Sequence, residues 1–184
     1  IYDLLEEADE YRTVFHKLYY LYFIRYCLRR SDAIVAQSKY TYQSLKKYHN
    51  YSNAVPIYPG YDVEDMIGDV DSTEAKTLYN LPEKYIFYIG INKPRKNLRR
   101  LVAAYEKILS RNSCLDTDIV LAGPIGGKHD VGYDIVRDIE DKGLSHRVHI
   151  LGFVPDELIK ELYYRAMFSI VPSYLESGYS YPAL

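Results

Sequence analysis

Four short strand candidates, Tyr85–Ile89, Asp118–Ala122, Val148–Leu151 and Phe168–Val171, recur at intervals of about 20–33 residues, and one segment of helical periodicity fills each gap. Those segments are about Leu98–Ser110, Asp130–Lys142 and Asp156–Ala166. Strands separated by one helix need a crossover, and the crossover is right-handed and joins strands that run parallel. The predicted fold class is therefore α/β, with doubly wound, Rossmann-like parallel sheets that are truncated at both ends.

Ligands of such sheets bind beyond the C-terminal ends of the strands. Four loops fall there: Gly90–Lys96, Gly123–Gly127, Gly152–Pro155 and Pro172–Gly178. All are rich in Gly or Pro, which allows close approach to a ligand but also suits a tight strand–helix turn. The first loop belongs to the stretch Tyr85–Leu109, a strand, a glycine, a basic loop and a helix carrying Leu98, Leu101, Val102, Tyr105, Ile108 and Leu109 at helical spacing. Asn97 is expected to cap that helix. Arg95, Lys96, Arg99 and Arg100 crowd its positive end, where each cation is unfavourable by roughly 0.3–1 kcal/mol unless an anion sits among them. A solvated basic helix start is the plainer alternative.

The first 60 residues repeat the alternation. A helix is expected from about Tyr11 to Arg30, then a strand within Asp32–Gln37, a helix at about Tyr40–Tyr48 capped by Ser38, and a strand at Ala54–Tyr58. The first helix carries Val14, Leu18, Leu21, Tyr22 and Cys27 near one face and Arg12, Lys17, Arg25, Arg29 and Arg30 at polar positions. That pattern reads as a core helix with a basic outer side, or as an interfacial helix drawn to anionic lipid headgroups. Tyr61–Asp71 is acidic and weakly periodic, which suggests a linker. The expected organisation is a first Rossmann-like domain over 1–60, a linker over 61–71, and a second Rossmann-like domain over 72–184, incomplete at its end.

Composition narrows the function classes. A net charge of −2 supplies no global field for nucleic acid. Cys27 and Cys114 lack metal-ligand spacing and suit a reducing cytoplasm. The apolar run Leu18–Ile24 is far shorter than the roughly 20 residues of a spanning helix. The spacing of His129, Asp130 and Asp134 could suit a metal, but Asp130 is more simply a helix cap, and no metal is expected. His16, His49, His129, His146 and His149 have no signalled nucleophile partner, and His149 reads as structural. The chain opens on Ile1 and stops inside an unfinished motif, as a fragment of a longer protein would.

The loops together resemble the donor-binding domain of glycosyltransferase family 4, the retaining family with the GT-B fold. Tyr88-Ile-Gly-Ile-Asn-Lys-Pro-Arg-Lys-Asn-Leu98 resembles its Y-x-G-x-x-x-P-R-K-N-L segment. Val120-Leu-Ala-Gly-Pro124 is similar to its L-x-x-A-G turn, and Val148-His-Ile-Leu-Gly-Phe-Val-Pro-Asp156 to V-x-F-L-G-x-V-P-D/E. Pro172-Ser-Tyr-Leu-Glu-Ser-Gly-Tyr-Ser-Tyr-Pro-Ala-Leu184 resembles the start of the family's E-x7-E signature. Ser31–Ser38 and Ile57–Asp62 resemble, more loosely, segments that close the acceptor domain. Several positions depart from the pattern. Ile91 stands where many members have arginine, Ser177 and Ser180 stand where glycine is usual, and Tyr2-Asp3 stands for His-Asp. The second signature glutamate falls past Leu184.

The resemblance implies a hexosyltransferase-type enzyme that moves a sugar, with retention, from a nucleoside-diphosphate sugar to a glycan, lipid-linked or small-molecule acceptor. No cofactor or metal is implied. Arg95 and Lys96 would meet the diphosphate charge and Glu176 would hold the donor sugar; these three are the candidate catalytic residues. Gly90, Asn92, Gly123, Gly152, Phe153, Val154, Ser177 and Gly178 would complete the donor site, with Gly152–Val154 lining the base pocket mainly through backbone groups. The setting implied is cytoplasmic, peripheral to the membrane if Tyr11–Arg30 is interfacial. The fragment alone is expected to be inactive. An alternative, motivated by Ile91, Ser177 and Ser180, is a catalytically decayed domain serving as a nucleotide-binding or protein-interaction scaffold.

Overall fold

A computed structural model of the chain describes residues 14–49, 51–60, 72–127 and 134–174, which fall into two compact units divided near Tyr61. The expected linker 61–71 lies outside the described residues.

In the first unit, helix α1 (Val14–Leu18) runs through a π-helical turn (Tyr19–Ile24) into α2 (Arg25–Arg30). The wider turn carries side chains off the 3.6-residue period, so positions before and after it do not share a face. This corrects the expected core stripe: Val14, Leu18, Tyr22 and Cys27 are exposed, and it is Leu28 that is buried. Strands β1 (Ile34–Ala36) and β2 (Ala54–Pro56) pair in parallel with α3 (Lys39–His49) between them. β1 is shorter than predicted, and its middle residue Val35 faces out. Ser38 caps α3 as its position suggested, its Oγ accepting from the Thr41 amide at 3.0 Å. Leu28, Ile34, Ala36, Leu45, Tyr51 and Ala54 form the core.

The second unit contains α4 (Glu74–Tyr79), β3 (Tyr85–Ile89), a 3₁₀ turn (Pro94–Lys96), α5 (Leu98–Arg111), β4 (Asp118–Ala122), α6 (Ile135–Asp141), β5 (Val148–Gly152), α7 (Asp156–Arg165) and β6 (Phe168–Ser169). The strands form one parallel sheet in the order β5-β4-β3-β6. Alternate residues supply its two faces. Tyr88, Ile119, Leu121 and Val148 pack with Leu98, Leu101, Val102 and Tyr105 of α5 and with Ile135 and Ile139 of α6. On the opposite face Tyr85, Phe87, Val120 and Ala122 meet Ala75 of α4 and Leu158 and Leu162 of α7. Strand bounds match the sequence reading at β3 and β4, whereas β6 is two exposed residues rather than a run to Val171. The start of α6 is also corrected: its N-cap is Asp134, whose side chain accepts from the Arg137 amide. Asp130 lies outside the described residues.

Polar groups pin the layers. Tyr85 donates its hydroxyl to the Leu162 carbonyl at 2.8 Å, and burial pushes that hydroxyl's pKa up to about 12. Asp118 accepts from Arg147 and pairs with His149 at 2.7 Å, so His149 joins neighbouring strands β4 and β5 as a structural residue. Among the described residues no helix is long and apolar enough to cross a membrane.

Candidate functional site

Parallel pairing brings the C-terminal ends of all four strands to one edge, and strand order decides where along it a ligand fits. From β3 the chain winds outward through β4 to β5, and then returns to place β6 on the other side of β3. The gap between β3 and β6 is therefore the point at which the winding reverses, where loops diverge and open sheets bind their ligands. The loop after β3 carries Arg95 and Lys96; the loop after β6 leads towards Glu176.

On the β3 side, Lys96 and Asn97 donate their amides to Lys93 and Pro94 at 2.8 and 3.1 Å, and so close the 3₁₀ turn. Arg95 and Lys96 are half-buried there, while Arg99 and Arg100 lie exposed in the first turn of α5. Asn97 occupies the N-cap position of that helix, but its side chain does not cap it. It adopts a left-handed backbone, φ 62°, makes no side-chain cap bond, and donates its Nδ2 to the Pro172 carbonyl at 2.9 Å. The Asn97 carbonyl accepts from the Arg100 and Leu101 amides at 3.1 and 3.2 Å, and the first turn of α5 contains no acidic residue. The Tyr174 amide donates to the Arg95 carbonyl at 3.1 Å. The two loops that flank the crevice are therefore joined directly.

The remaining loops are stitched through backbone groups. The Gly90 amide donates to Ala122 at 2.9 Å, and the Gly123 amide to Gly152 at 2.7 Å. A Cβ on Gly123, which sits at φ 113°, would collide with the Gly90 carbonyl oxygen. These glycines are thus needed to close the rim, whatever ligand it holds. Asn92 is fully buried, and Val154 has its side chain in the α7-facing core with Leu158 and Leu162, which leaves it only a backbone role at the rim. Phe153 is exposed. Glu176, Ser177 and Gly178, like His129, lie outside the described residues. Among the described residues no group of three or more His, Cys, Asp or Glu is placed to hold a metal ion.

Sequence reasoning found the loops but missed Asn97 as a link between them. Its only signal was an asparagine between a turn and a helix, which a cap explains equally well.

Comparison with known proteins adds to this geometry. The profile of the family described as "Glycosyl transferases group 1" matches residues 69–178. O-antigen chain mannosyltransferase B of Escherichia coli is 35% identical over 100 residues, covering 54% of this chain and 25% of that protein. The serotype-specific mannosyltransferase WbdA of Escherichia coli is 27% identical over 165 residues, covering 84% of this chain and 19% of its own length. The chain thus spans about a quarter or less of the curated relatives it matches. Among solved structures, sucrose-phosphate synthase of Thermosynechococcus elongatus superposes with a TM-score of 0.70 at 20% identity, over 95% of this chain and 42% of that one. S. aureus TarM, solved with UDP, gives 0.63 at 14% identity over 84% and 28%.

Proposed function

Because the chain belongs to the group 1 glycosyltransferases and has the parallel-sheet fold of GT-B enzymes, we propose that it forms the donor-binding part of a retaining hexosyltransferase that uses a nucleoside-diphosphate sugar. The observation that carries this reading is the position of Arg95 and Lys96 on a tight turn at the winding reversal, linked to the loop that continues towards Glu176.

The chemistry needs such a turn. As the sugar departs, negative charge grows on the diphosphate, and donors already fixed in place stabilise it most. Arg95 grips phosphate oxygens with a planar fork, Lys96 adds a compact charge, and the N-terminus of α5 contributes a favourable dipole. With these cations the leaving group is neutralised without a metal. Gly90, Gly123 and Gly152 let the nucleotide approach the rim, Asn92 supports the loop from beneath, and Phe153 with the Val154 backbone borders the base. Glu176, with Ser177 and Gly178, holds the sugar hydroxyls so that the acceptor attacks from the face the leaving group vacates.

Relatives named as mannosyltransferases make mannose the first sugar to test. The acceptor is a glycan or lipid-linked saccharide. The scaffold alternative is not favoured, because the family match extends through the loops of the donor site and the sequence relatives carry transferase names. The setting is cytoplasmic, where the exposed Cys27 and Cys114 persist as thiols. The exposed aromatic side chains Tyr19, Tyr22, Phe23 and Tyr26, followed by Arg29 and Arg30, support the interfacial reading of the first helix, a helix lying on an anionic bilayer.

Calorimetric titration of the full-length protein with GDP, UDP and ADP tests the proposal. One of them binds, and the Arg95→Ala/Lys96→Ala protein binds it weakly. Absence of binding by the parent, or equal binding by the double variant, refutes the donor site.

A further inference from the structure

Resting on the donor-site reading above, we propose that Asn97 is a positioning residue whose side-chain amide keeps the two walls of the donor crevice in register. The hydrogen bonds between β3 and the β6 side run from the Met167 amide to Tyr85 at 2.9 Å and from the Ile170 amide to Phe87 at 2.8 Å. Beyond that point β3 ends and its chain turns away into the Gly90–Lys96 loop, so sheet pairing no longer fixes the separation of the walls. The Asn97 amide resumes the connection at Pro172, and the Tyr174 amide does so at Arg95. Both bonds bridge the basic turn to the chain that reaches Glu176 two residues after Tyr174.

The residue type suits this role on two counts. Its backbone is left-handed, a conformation asparagine tolerates better than most side chains. Its side chain is a neutral donor, so it grips a carbonyl without competing with Arg95 and Lys96 for an anion. Asn97 stands at the N-cap position of α5 but makes no side-chain cap bond, and its side-chain amide is committed to Pro172 instead.

The consequence separates binding from turnover. A nucleoside diphosphate lies against the basic wall, whereas the sugar must be gripped from the opposite wall at the same time. Loss of the tether leaves each wall intact and loosens the spacing between them. Misplacement by an ångström at a reacting centre costs up to about a hundredfold in rate.

The test uses Asn97→Gly, which keeps the left-handed turn, and Asn97→Asp, which keeps the side-chain size, both in the full-length protein. Both remove the Nδ2 donor. GDP, UDP and ADP affinities are measured by calorimetry. Turnover is then measured as release of whichever diphosphate binds from GDP-mannose, UDP-glucose or ADP-glucose, with water as acceptor, and thermal melting confirms folding. The expected result is diphosphate affinity within about threefold of the parent and kcat lower by about tenfold or more in both variants. Unchanged kcat in both, or affinity that falls in step with kcat, overturns the role of Asn97. Failure of the parent to bind any diphosphate is a different result, and it overturns the donor site itself.

Discussion

Glu161 in α7 accepts a hydrogen bond from the amide of Ala75 at 2.9 Å, across 86 residues of sequence. Its second carboxylate oxygen takes the Lys76 amide at 3.2 Å and Arg165 Nε at 2.7 Å, and Arg165 itself reaches the Ser72 carbonyl. A carboxylate from one helix therefore caps another at its positive end, where an acidic group is most stabilising. Only 2% of the Glu161 side chain is exposed. Removing it strands Arg165 and two amides, so Glu161→Ala is expected to destabilise by about 3 kcal/mol, and Glu161→Gln by about 1–2 kcal/mol because an acceptor remains. Denaturant unfolding of both variants measures the difference.

The same group sets an acid limit. Burial alone would raise the Glu161 pKa, but the Ala75 amide, Arg165 and the Lys76 amide together outweigh it and hold the carboxyl below its usual value. A carboxyl depressed in the folded state contributes stability above its unfolded pKa and loses it as pH falls through the folded one. Stability should thus decline below about pH 4.5, the ordinary glutamate value, and decline less steeply in Glu161→Gln. Unfolding midpoints measured from pH 7 down to pH 3 check the slope.

Gly123→Ala should be costly, about 2–4 kcal/mol, since the new methyl meets a backbone carbonyl and the φ is unsuited to alanine. Gly60→Ala, with open space around it, is the control and should fall within about 0.5 kcal/mol of the parent. Chemical denaturation compares the pair.

On the proposed donor site, each of Arg95→Ala and Lys96→Ala should remove a charge-assisted contact worth about 1.5–3 kcal/mol. Nucleoside diphosphate affinity should drop at least about tenfold for either change, and Arg95→Lys should not restore it fully because the planar fork is lost. Calorimetry at two salt concentrations gives both the loss and its charge dependence.

The exposed helix makes a separate prediction. Full-length protein should co-sediment with vesicles rich in phosphatidylglycerol and not with phosphatidylcholine, and Arg29→Glu/Arg30→Glu should weaken this by about 1 kcal/mol or more per residue. Equal retention by neutral vesicles would argue against an electrostatic interfacial helix.

Local patterns in the sequence disclosed most of the second unit. β3 is an unbroken apolar run, β4 is apolar after Asp118, and α5 keeps its period for four turns, so their bounds were visible. The first helix was misread because a π-helical turn leaves no mark in a 3.6-residue count. The side-chain role of Asn97 was misread because asparagine serves caps and turns alike, and only hydrogen bonds tell the uses apart. The placement of β6 beside β3 was hidden altogether, since strand order is set by packing between distant segments. The candidate loops were therefore legible one by one, whereas the crevice between two of them was not.

The register Ile86↔Phe168 and Phe87↔Ser169 joins residues roughly 80 positions apart, while β3, β4 and β5 pair across roughly 30. Pairings that close longer loops form later. β5-β4-β3 can thus assemble with one flank of β3 still bare, and the cleft exists only after β6 has docked. With only two residues in its ladder, β6 is also the strand of this sheet best placed to detach. Amide exchange should register this as opening at Ile170 before Val120, so the flank of β3 that carries the later loop is the part of the sheet that opens most often.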